Sequence, residues 1–411
     1  MVKMSFLINE FNKKYNKSIF TSELKYLFNI LIKNGDEARL VGGCVRNFLL
    51  GKTINDYDIA TKYLPEELEN ILKENNIQYF TTGKQFGTIT AIINNQYFEI
   101  TTLRKDIKTD GRHAIVEFTK DYVEDAKRRD FTFNALYMDY SGKIYDYFNG
   151  ISDLKNGIIN FIGNSQDRII EDNLRILRFF RFYAYYCCEM NYFDLQNCIK
   201  YKDKIKTLSK ERISEEFYKI LQSPYSVKVL HMMQHCGILQ EILNINTKLN
   251  LDNLQIFYSV SKFINFGYDY LFVLCLILSK NQFDFNLLLT NKNKKYIKTI
   301  LNNLPNKIDE FEIKKLLFYL QDKKIVEDVI VLYFCNNFVN FGIVKNTLDF
   351  IKKTDIPILN IFGKDLIEFG FENKRDFSKI ISLAKEVFVE SGFVLSKNKI
   401  LKIVENNKNS N

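Results

Sequence analysis

Apolar residues in this chain change their spacing at about Gly150, and that change limits the fold more than any single motif does. Before it, short apolar runs bounded by polar or glycine-containing turns predict strands over residues 38–41, 56–60, 87–93, 96–103, 115–119, 136–139 and 144–147. Asn94-Asn95 and Ser141-Gly142 supply the hairpin turns. Helices are predicted over 22–33, 45–50, 65–72 and 131–136, with Pro65 suited to a first helical turn. The charged segment 105–114 follows neither period and reads as a mobile loop. After Gly150, the three-and-four spacing of helices takes over in 168–186 and 211–221, the second with Ser209 as its cap. From Ser226 onward helical spacing dominates and prolines occur only at Pro305 and Pro357. The expected architecture is an α/β head, a small mixed sheet with helices, followed by an all-α remainder.

At 411 residues the chain exceeds one compact core, so two or more domains are expected. The formal net charge of +9 fits an anionic partner such as nucleic acid, although it is equally the charge of a mildly basic protein without one. The seven cysteines are odd in number and contain no C-x-x-C pair. That argues against a disulfide framework or zinc ribbon and for a reducing, cytoplasmic compartment. Residues 1–15 lack the apolar core of a secretory signal. The longest strongly apolar run, 270–278, falls well short of the roughly 20 residues a membrane helix needs, so no membrane contact is expected.

The stretch richest in chemistry is Leu40-Val41-Gly42-Gly43-Cys44-Val45-Arg46, followed by Asp56-Tyr57-Asp58. Carboxylates two apart on a strand point the same way, repel each other and call for a cation between them. An all-oxygen site of that kind suits Mg²⁺, which keeps its waters and bridges to substrate phosphates. Gly42 and Gly43 let the backbone approach a triphosphate, and Arg46 can reach its oxygens. The implied chemistry is metal-assisted nucleotidyl transfer, with Asp56 and Asp58 as the metal pair. Glu99, between Phe98 and Ile100, is either a third catalytic acid beside the metal or a solvent-facing strand residue. Cys44 lacks a histidine partner and reads as packing.

Two further clusters are basic. In Lys127-Arg128-Arg129-Asp130, Arg129 is assigned to the triphosphate and Asp130 to ribose hydroxyls, a role compatible with capping a helix. In Glu171-Asp172-Asn173-Leu174-Arg175, Asp172 and Arg175 are neighbours three apart on the predicted helix. Asp172 can accept from an exocyclic amine and Arg175 can donate to the adjacent ring nitrogen. That pair selects cytosine or adenine and rejects guanine and uracil. A solvated ion pair is the plainer alternative. Arg178 and Arg181 carry the stripe on towards phosphates. His231 and His235 lack a third ligand and read as packing or surface residues.

In order along the chain, the series is Gly42-Gly43-Cys44-Val45-Arg46, Asp56-Tyr57-Asp58, Thr101-Thr102-Leu103-Arg104, Asp110-Gly111-Arg112, Arg128-Arg129-Asp130, Glu171-Asp172-Asn173-Leu174-Arg175 and Glu211-Arg212-Ile213-Ser214-Glu215-Glu216. It resembles the class II tRNA nucleotidyltransferase and poly(A) polymerase family, and within it the CCA-adding enzymes. The resemblance implies a nucleotidyltransferase catalytic head (1–150), a helical neck with the nucleotide-recognition helix (151–225), and a helical body and tail that bind tRNA (226–411). It implies Asp56 and Asp58 on Mg²⁺, and Gly43, Arg46, Arg129, Asp172, Arg175, Arg178 and Arg181 at the nucleotide, with Glu171 orienting the base-reading pair. Segment 105–114 is similar to the family's flexible loop, which helps the switch from CTP to ATP, and 211–216 to its helix-supporting motif. Asn47 stands where many relatives carry Asp. The implied reaction is template-free addition of CCA to the tRNA 3′ end from CTP and ATP, with no obligate protein partner. A poly(A) polymerase, or a partial enzyme adding only CC or only A, is the alternative.

Overall fold

The computed structural model describes residues 19–33, 38–109, 114–186, 189–278, 286–337, 340–371 and 373–408. These form two compact units. One runs to residue 248 and includes 286–288; the other holds 249–278 and 289 onward.

The first unit opens with β1 (Ala38–Val41), β2 (Tyr57–Thr61), β3 (Gln78–Gly83), β4 (Thr88–Ile93), β5 (Gln96–Thr102), β6 (Arg104–Thr109), β7 (Ala114–Phe118), β8 (Leu136–Met138) and β9 (Ile144–Asp146). Seven of them make one sheet in the order β3-β4-β5-β2-β1-β8-β9, while β6 and β7 pair separately. β2 and β5 are parallel and the other neighbours antiparallel, so the sheet is mixed, as expected. Asn94 and Asn95 both have positive φ, 49° and 62°, the conformation a tight two-residue hairpin requires.

Side-chain alternation on these strands sets up the site. Leu40, Ile59, Phe98 and Ile100 face α1 (Ser22–Leu31) and the later helix Pro65–Glu74, against Leu24, Leu27, Phe28, Leu68 and Leu72. Val41 and Ala60 point the other way, into a cluster with Tyr122, Ala126 and Tyr137. Asp58 precedes Ile59 and therefore shares the face of Ala60. Glu99, its register partner on β5, lies between Phe98 and Ile100 and shares that face too. Between β1 and β2 runs α2 (Gly43–Leu49). The remaining helices of this unit are α3 (Pro65–Glu74), α4 (Tyr122–Lys127), α5 (Gly150–Asn156), α6 (Ser165–Glu171), α7 (Leu174–Tyr186), α8 (Tyr192–Lys200), α9 (Lys210–Leu221), α10 (Ser226–His235) and α11 (Ile238–Leu243). α7 buries Ile176, Leu177, Phe179 and Phe180 completely. Each such side chain contributes about 1.5–3 kcal/mol relative to exposure, so the position of its arginine face is firmly fixed.

Three expectations change. Segment 105–114 is not a structureless loop over its described part: β6 pairs antiparallel with β7, Arg104 opposite Phe118 and Lys105 opposite Glu117. A two-stranded ribbon carries little apolar period, and its charges hid it. Residues 131–136 are not a helix; a short 3₁₀ turn, Thr132–Asn134, leads straight into β8. Pairing with β1 draws Leu136 into the sheet, where Gly42 N donates to its carbonyl at 3.1 Å. Residues 168–186 are two helices, not one. Asp172 is extended (φ −149°, ψ 105°) and its Oδ1 accepts from Leu174 N at 3.1 Å, which caps α7. The break takes so few residues that the apolar spacing runs through it. A two-residue parallel pairing of β10 (Ile158–Ile159) with β11 (Glu189–Met190) adds a little strand to the otherwise helical 151–225 segment.

The second unit is helical from Asp252–Ile264 to Lys397–Lys408, with cores around Phe257, Phe272, Val329 and Ile330 and around Leu366, Ile400, Leu401 and Val404. The apolar run at 270–278 is the buried helix Tyr270–Ile277. Among the described residues no helix is long and apolar enough to cross a membrane. Residues 1–15 and Asp110-Gly111-Arg112, singled out in the sequence, lie outside the described residues.

Candidate active site

Gly42 joins β1 to α2 with φ +74° and ψ −124°, a conformation that costs other residues dearly. A Cβ there would lie 3.4 Å from Arg129 Nη1 and 3.9 Å from Asp58 Oδ2. The glycine turn therefore brings open backbone, an acid and a cation together, at one end of a cleft of about 590 Å³. Arg46 from α2, Asn134 and the guanidiniums of Arg104, Arg128 and Arg129 continue the wall. The far side is Asp172, Arg175, Arg178, Arg181 and Phe182 around α7, together with Arg212 of α9. Positions 175, 178, 181 and 182 fall on one stripe of the helix, which is why a single helix lines so much of the cavity.

At the acid end, Asp56, Asp58 and Glu99 gather without partners. Among the described residues none of these three carboxylates is held by a hydrogen bond or an ion pair. Burial, opposed by the Arg129 charge and reinforced by Glu99 and Asp56, pushes the Asp58 carboxyl up to about 6. No three His, Cys, Asp or Glu side chains among the described residues converge closely enough to hold a metal unaided. The donor set still fits a hard divalent cation. It is all oxygen, its mutual repulsion is uncompensated, and such ions take only one or two carboxylates when substrate phosphates and water complete the shell.

The arginine end is the opposite. Asp125, fully buried on α4, accepts from Arg128 Nε at 2.9 Å, Arg129 Nη2 at 3.2 Å and Tyr137 Oη at 2.6 Å. Burial alone would raise its pKa; the two guanidiniums and the Tyr137 hydroxyl hold it well below the usual carboxylate range. Asp130, also buried, accepts from Phe131 N at 2.8 Å, Asn134 Nδ2 at 2.9 Å and Arg178 Nε at 2.7 Å, and is likewise held low against its burial. Arg181 donates to Glu216 at 2.9 Å and Arg212 to both oxygens of Asp172 at 3.0 and 2.9 Å. Arg175 donates to Glu171 Oε2 at 2.8 Å and to the carbonyls of Arg168 and Arg128. Arg46 donates to Asn134 and to Asn47 Oδ1, and Arg104 to the Phe86 carbonyl. Every arginine of the cleft is thus aimed before a ligand arrives.

Residues 38–160 match the family described as Poly A polymerase head domain, and 195–246 match the probable RNA and SrmB-binding site of polymerase A. The CCA tRNA nucleotidyltransferase 1, mitochondrial, of Mus musculus is 31% identical over 404 residues, covering 95% of this chain and 91% of that protein. This chain belongs to the CCA-adding tRNA nucleotidyltransferase family. The CCA-adding enzyme of Staphylococcus aureus (strain MRSA252) is 33% identical over 326 residues, 77% of each chain. The CCA-adding fold is shared as well: the crystal structure of the Bacillus stearothermophilus CCA-adding enzyme in complex with CTP aligns with a TM-score of 0.77 at 23% identity, over 96% of this chain and 98% of that one.

On this nucleotidyltransferase fold, Gly42, Gly43, Arg46, Asp58, Arg129, Asp130, Asp172, Arg175, Arg178 and Arg181 meet in the one cleft. Three residues marked in the sequence stand outside its lining. Asp56 is exposed just before β2, Glu99 is exposed beside Asp58, and Glu171 sits behind Arg175. Asp172 and Arg175 do not form the ion pair that their spacing predicts, because the break before α7 takes Asp172 off the helix. Asp172 pairs with Arg212 instead, and Glu171 pairs with Arg175. Asp130 already receives donors from three groups, so reading a ribose would require Arg178 or Asn134 to let go. Asn47 accepts from Arg46 Nε at 3.3 Å and Nη2 at 3.0 Å; the amide holds that guanidinium as a carboxylate would. Asp125 escaped sequence reasoning although its spacing of three and four to Arg128 and Arg129 on a helix was visible. Cys44 is a packing residue, as expected: its thiol donates to the Val41 carbonyl at 3.2 Å and burial, with the Asp58 charge, pushes it up to about 11. His231 and His235 lie exposed on α10 with no ligand cluster among the described residues.

Proposed function

We propose that this protein completes the 3′ end of tRNA, adding C, C and A from CTP and ATP without a nucleic-acid template and releasing pyrophosphate each time. The observation that carries the reading is a single cleft with Asp58 and the Gly42 turn at one end and Asp172, Arg175 and their arginine neighbours at the other. The named mouse and staphylococcal relatives support it. In this reading the triphosphate lies against the Gly42 and Gly43 backbone, with Arg46 and Arg129 on its oxygens and Arg178 and Arg181 beside it. Asp130 acts by fixing Arg178. Asp172 and Arg175 read the base. Arg175 uses three of its five N–H groups internally, and Asp172 Oδ2 keeps a lone pair after Arg212 is served, while Oδ1 is filled by Arg212 and Leu174 N, so both residues can still bond to a nucleobase.

Asp56 and Asp58 would hold Mg²⁺, with Glu99 beside them strengthening the negative field. When bound, the ion supplies a lowered pKa for the tRNA terminal hydroxyl and charge neutralisation for the leaving pyrophosphate. Residues 1–150 serve as catalytic head, 151–225 as neck, and the helical 226–411 as body and tail on the tRNA backbone, so tRNA binding should weaken as salt rises. Cysteine usage supports a cytoplasmic site of action.

The test is extension of tRNA lacking its last three nucleotides, with CTP and ATP supplied separately and together in Mg²⁺. CTP alone should add two residues, ATP alone none, and both together three. A long adenosine tail, arrest after CC in the presence of both nucleotides, or no extension at all would each reject the reading.

A further inference from the structure

Arg168 has no part in the site as assigned so far. It sits on α6, is 9% exposed, and does not line the cleft. Its guanidinium nevertheless reaches both segments that the nucleotide must register against. Nη1 donates to Glu171 Oε2, while Nη2 donates to the carbonyl of Arg128 and, at 2.7 Å, to that of Arg129. Arg175 reaches the same two groups, with Nη1 on Glu171 Oε2 at 2.8 Å and Nη2 on the Arg128 carbonyl at 3.1 Å. It also donates to the carbonyl of Arg168 itself at 2.8 Å. One carboxylate and one peptide carbonyl are therefore each shared by two buried guanidiniums.

That arrangement is poor value for stability alone. Two buried cations usually need two carboxylates, and here burial and the adjacent Arg175 charge lower the Arg168 guanidinium to about 10. What it does accomplish is geometric. The backbone that presents Arg128 and Arg129 is pinned directly to the segment that presents Arg175.

We propose that Arg168 is a positioning residue that fixes the phosphate-binding arginines relative to the base-reading segment, so that nucleotide choice depends on a residue that touches no nucleotide. The inference rests on the reading of Arg129 and Arg175 given above. A nucleotide with the right base edge then places its triphosphate in register, and one with the wrong edge does not. Lysine keeps the charge, but its single Nζ cannot span a carboxylate and two carbonyls.

The experiment compares the unmodified protein with Arg168→Lys. Single-nucleotide addition of CTP, UTP, ATP and GTP is measured on tRNA ending before CCA and on tRNA ending in CC, with thermal melting as the control for folding. The kcat/KM preferences for CTP over UTP and for ATP over GTP should fall about tenfold or more, the size of an ordinary coupling between two sites. The kcat with the correct nucleotide should change much less. Equal losses for right and wrong nucleotides would mean a merely structural role and overturn the inference, as would unchanged preferences. Should Arg168→Lys fail to fold, Arg168→Gln, which removes the buried charge and keeps one side-chain donor group, is read in the same way. An unmodified protein that fails to prefer C and A rejects the proposed function itself; a selective protein whose variant stays selective rejects only the role of Arg168.

Discussion

The two ends of the cleft are built by opposite rules. At the arginine end each guanidinium meets an acceptor: Asp125 for Arg128 and Arg129, Asp130 for Arg178, Glu171 for Arg175, Asp172 for Arg212 and Glu216 for Arg181. At the acid end the Asp58 carboxylate has no hydrogen-bond partner among the described residues, and it is pushed up to about 6. The contrast teaches that preorganisation is placed where the protein owns both charges. Where the counter-charge must arrive with the substrate, a repulsive gap is left open.

Asp58→Asn should have the most severe consequence: nucleotide addition should drop by roughly 10³-fold, since a metal contribution of several kcal/mol is lost, while the protein melts no lower. A variant that loses activity only by losing its fold would erase the contrast. Asp125→Ala should act the other way, removing about 3–5 kcal/mol of stability in denaturant unfolding because two buried guanidiniums lose their shared acid. Because the Asp125 pKa is depressed, that stability is present above the unfolded carboxylate value, near 4, and is lost as pH falls below it. A loss under about 1 kcal/mol would place Asp125 among ordinary surface acids.

Gly42→Ala tests the hinge between the two ends. Its backbone, φ +74° and ψ −124°, costs an L-residue about 1–3 kcal/mol, while the new methyl itself would make only an ordinary 3.4 Å contact with Arg129 Nη1. KM for both nucleotides should rise, and an unchanged KM would show that the backbone there does not meet the triphosphate. The mildest effect is in pH. The Asp58 pKa is raised in the fold, so its contribution to stability is complete below the unfolded value near 4 and is lost as pH rises through about 6. Without divalent ions, the melting temperature of the unmodified protein relative to Asp58→Asn should therefore fall between pH 4 and 7. A flat difference would mean that Asp58 is not crowded by its neighbours.

Much of the head was legible because local signals agreed with the tertiary fold. Pro65 starts its helix, Asn94 and Asn95 take left-handed φ, and 38–41 is a strand buried on both faces. The glycine turn and Asp58 could be placed together because strand alternation decides which face a carboxylate takes. Three features stayed hidden for a common reason, that a partner distant in sequence decides them. The β6–β7 ribbon owes its form to cross-strand pairing rather than to an apolar face. The break at Asp172 is held by Arg212, forty residues on. The burial of Asp125 is set by Tyr137 and the surrounding cluster. The i,i+3 pairing of Asp172 with Arg175 failed for the same reason: spacing alone cannot see a helix that stops.

The most direct test of the account is the binding of Mn²⁺, a spectroscopic stand-in for Mg²⁺, measured with and without CTP in the unmodified protein and in Asp58→Asn. The expected result is one strongly bound ion per chain only when CTP is present. Asp58→Asn should lose that ion yet still bind CTP through its intact arginines. Equal Mn²⁺ binding in both proteins, or loss of metal-free CTP binding in Asp58→Asn, would contradict a cleft with one end prebuilt and the other completed by the substrate's own ion.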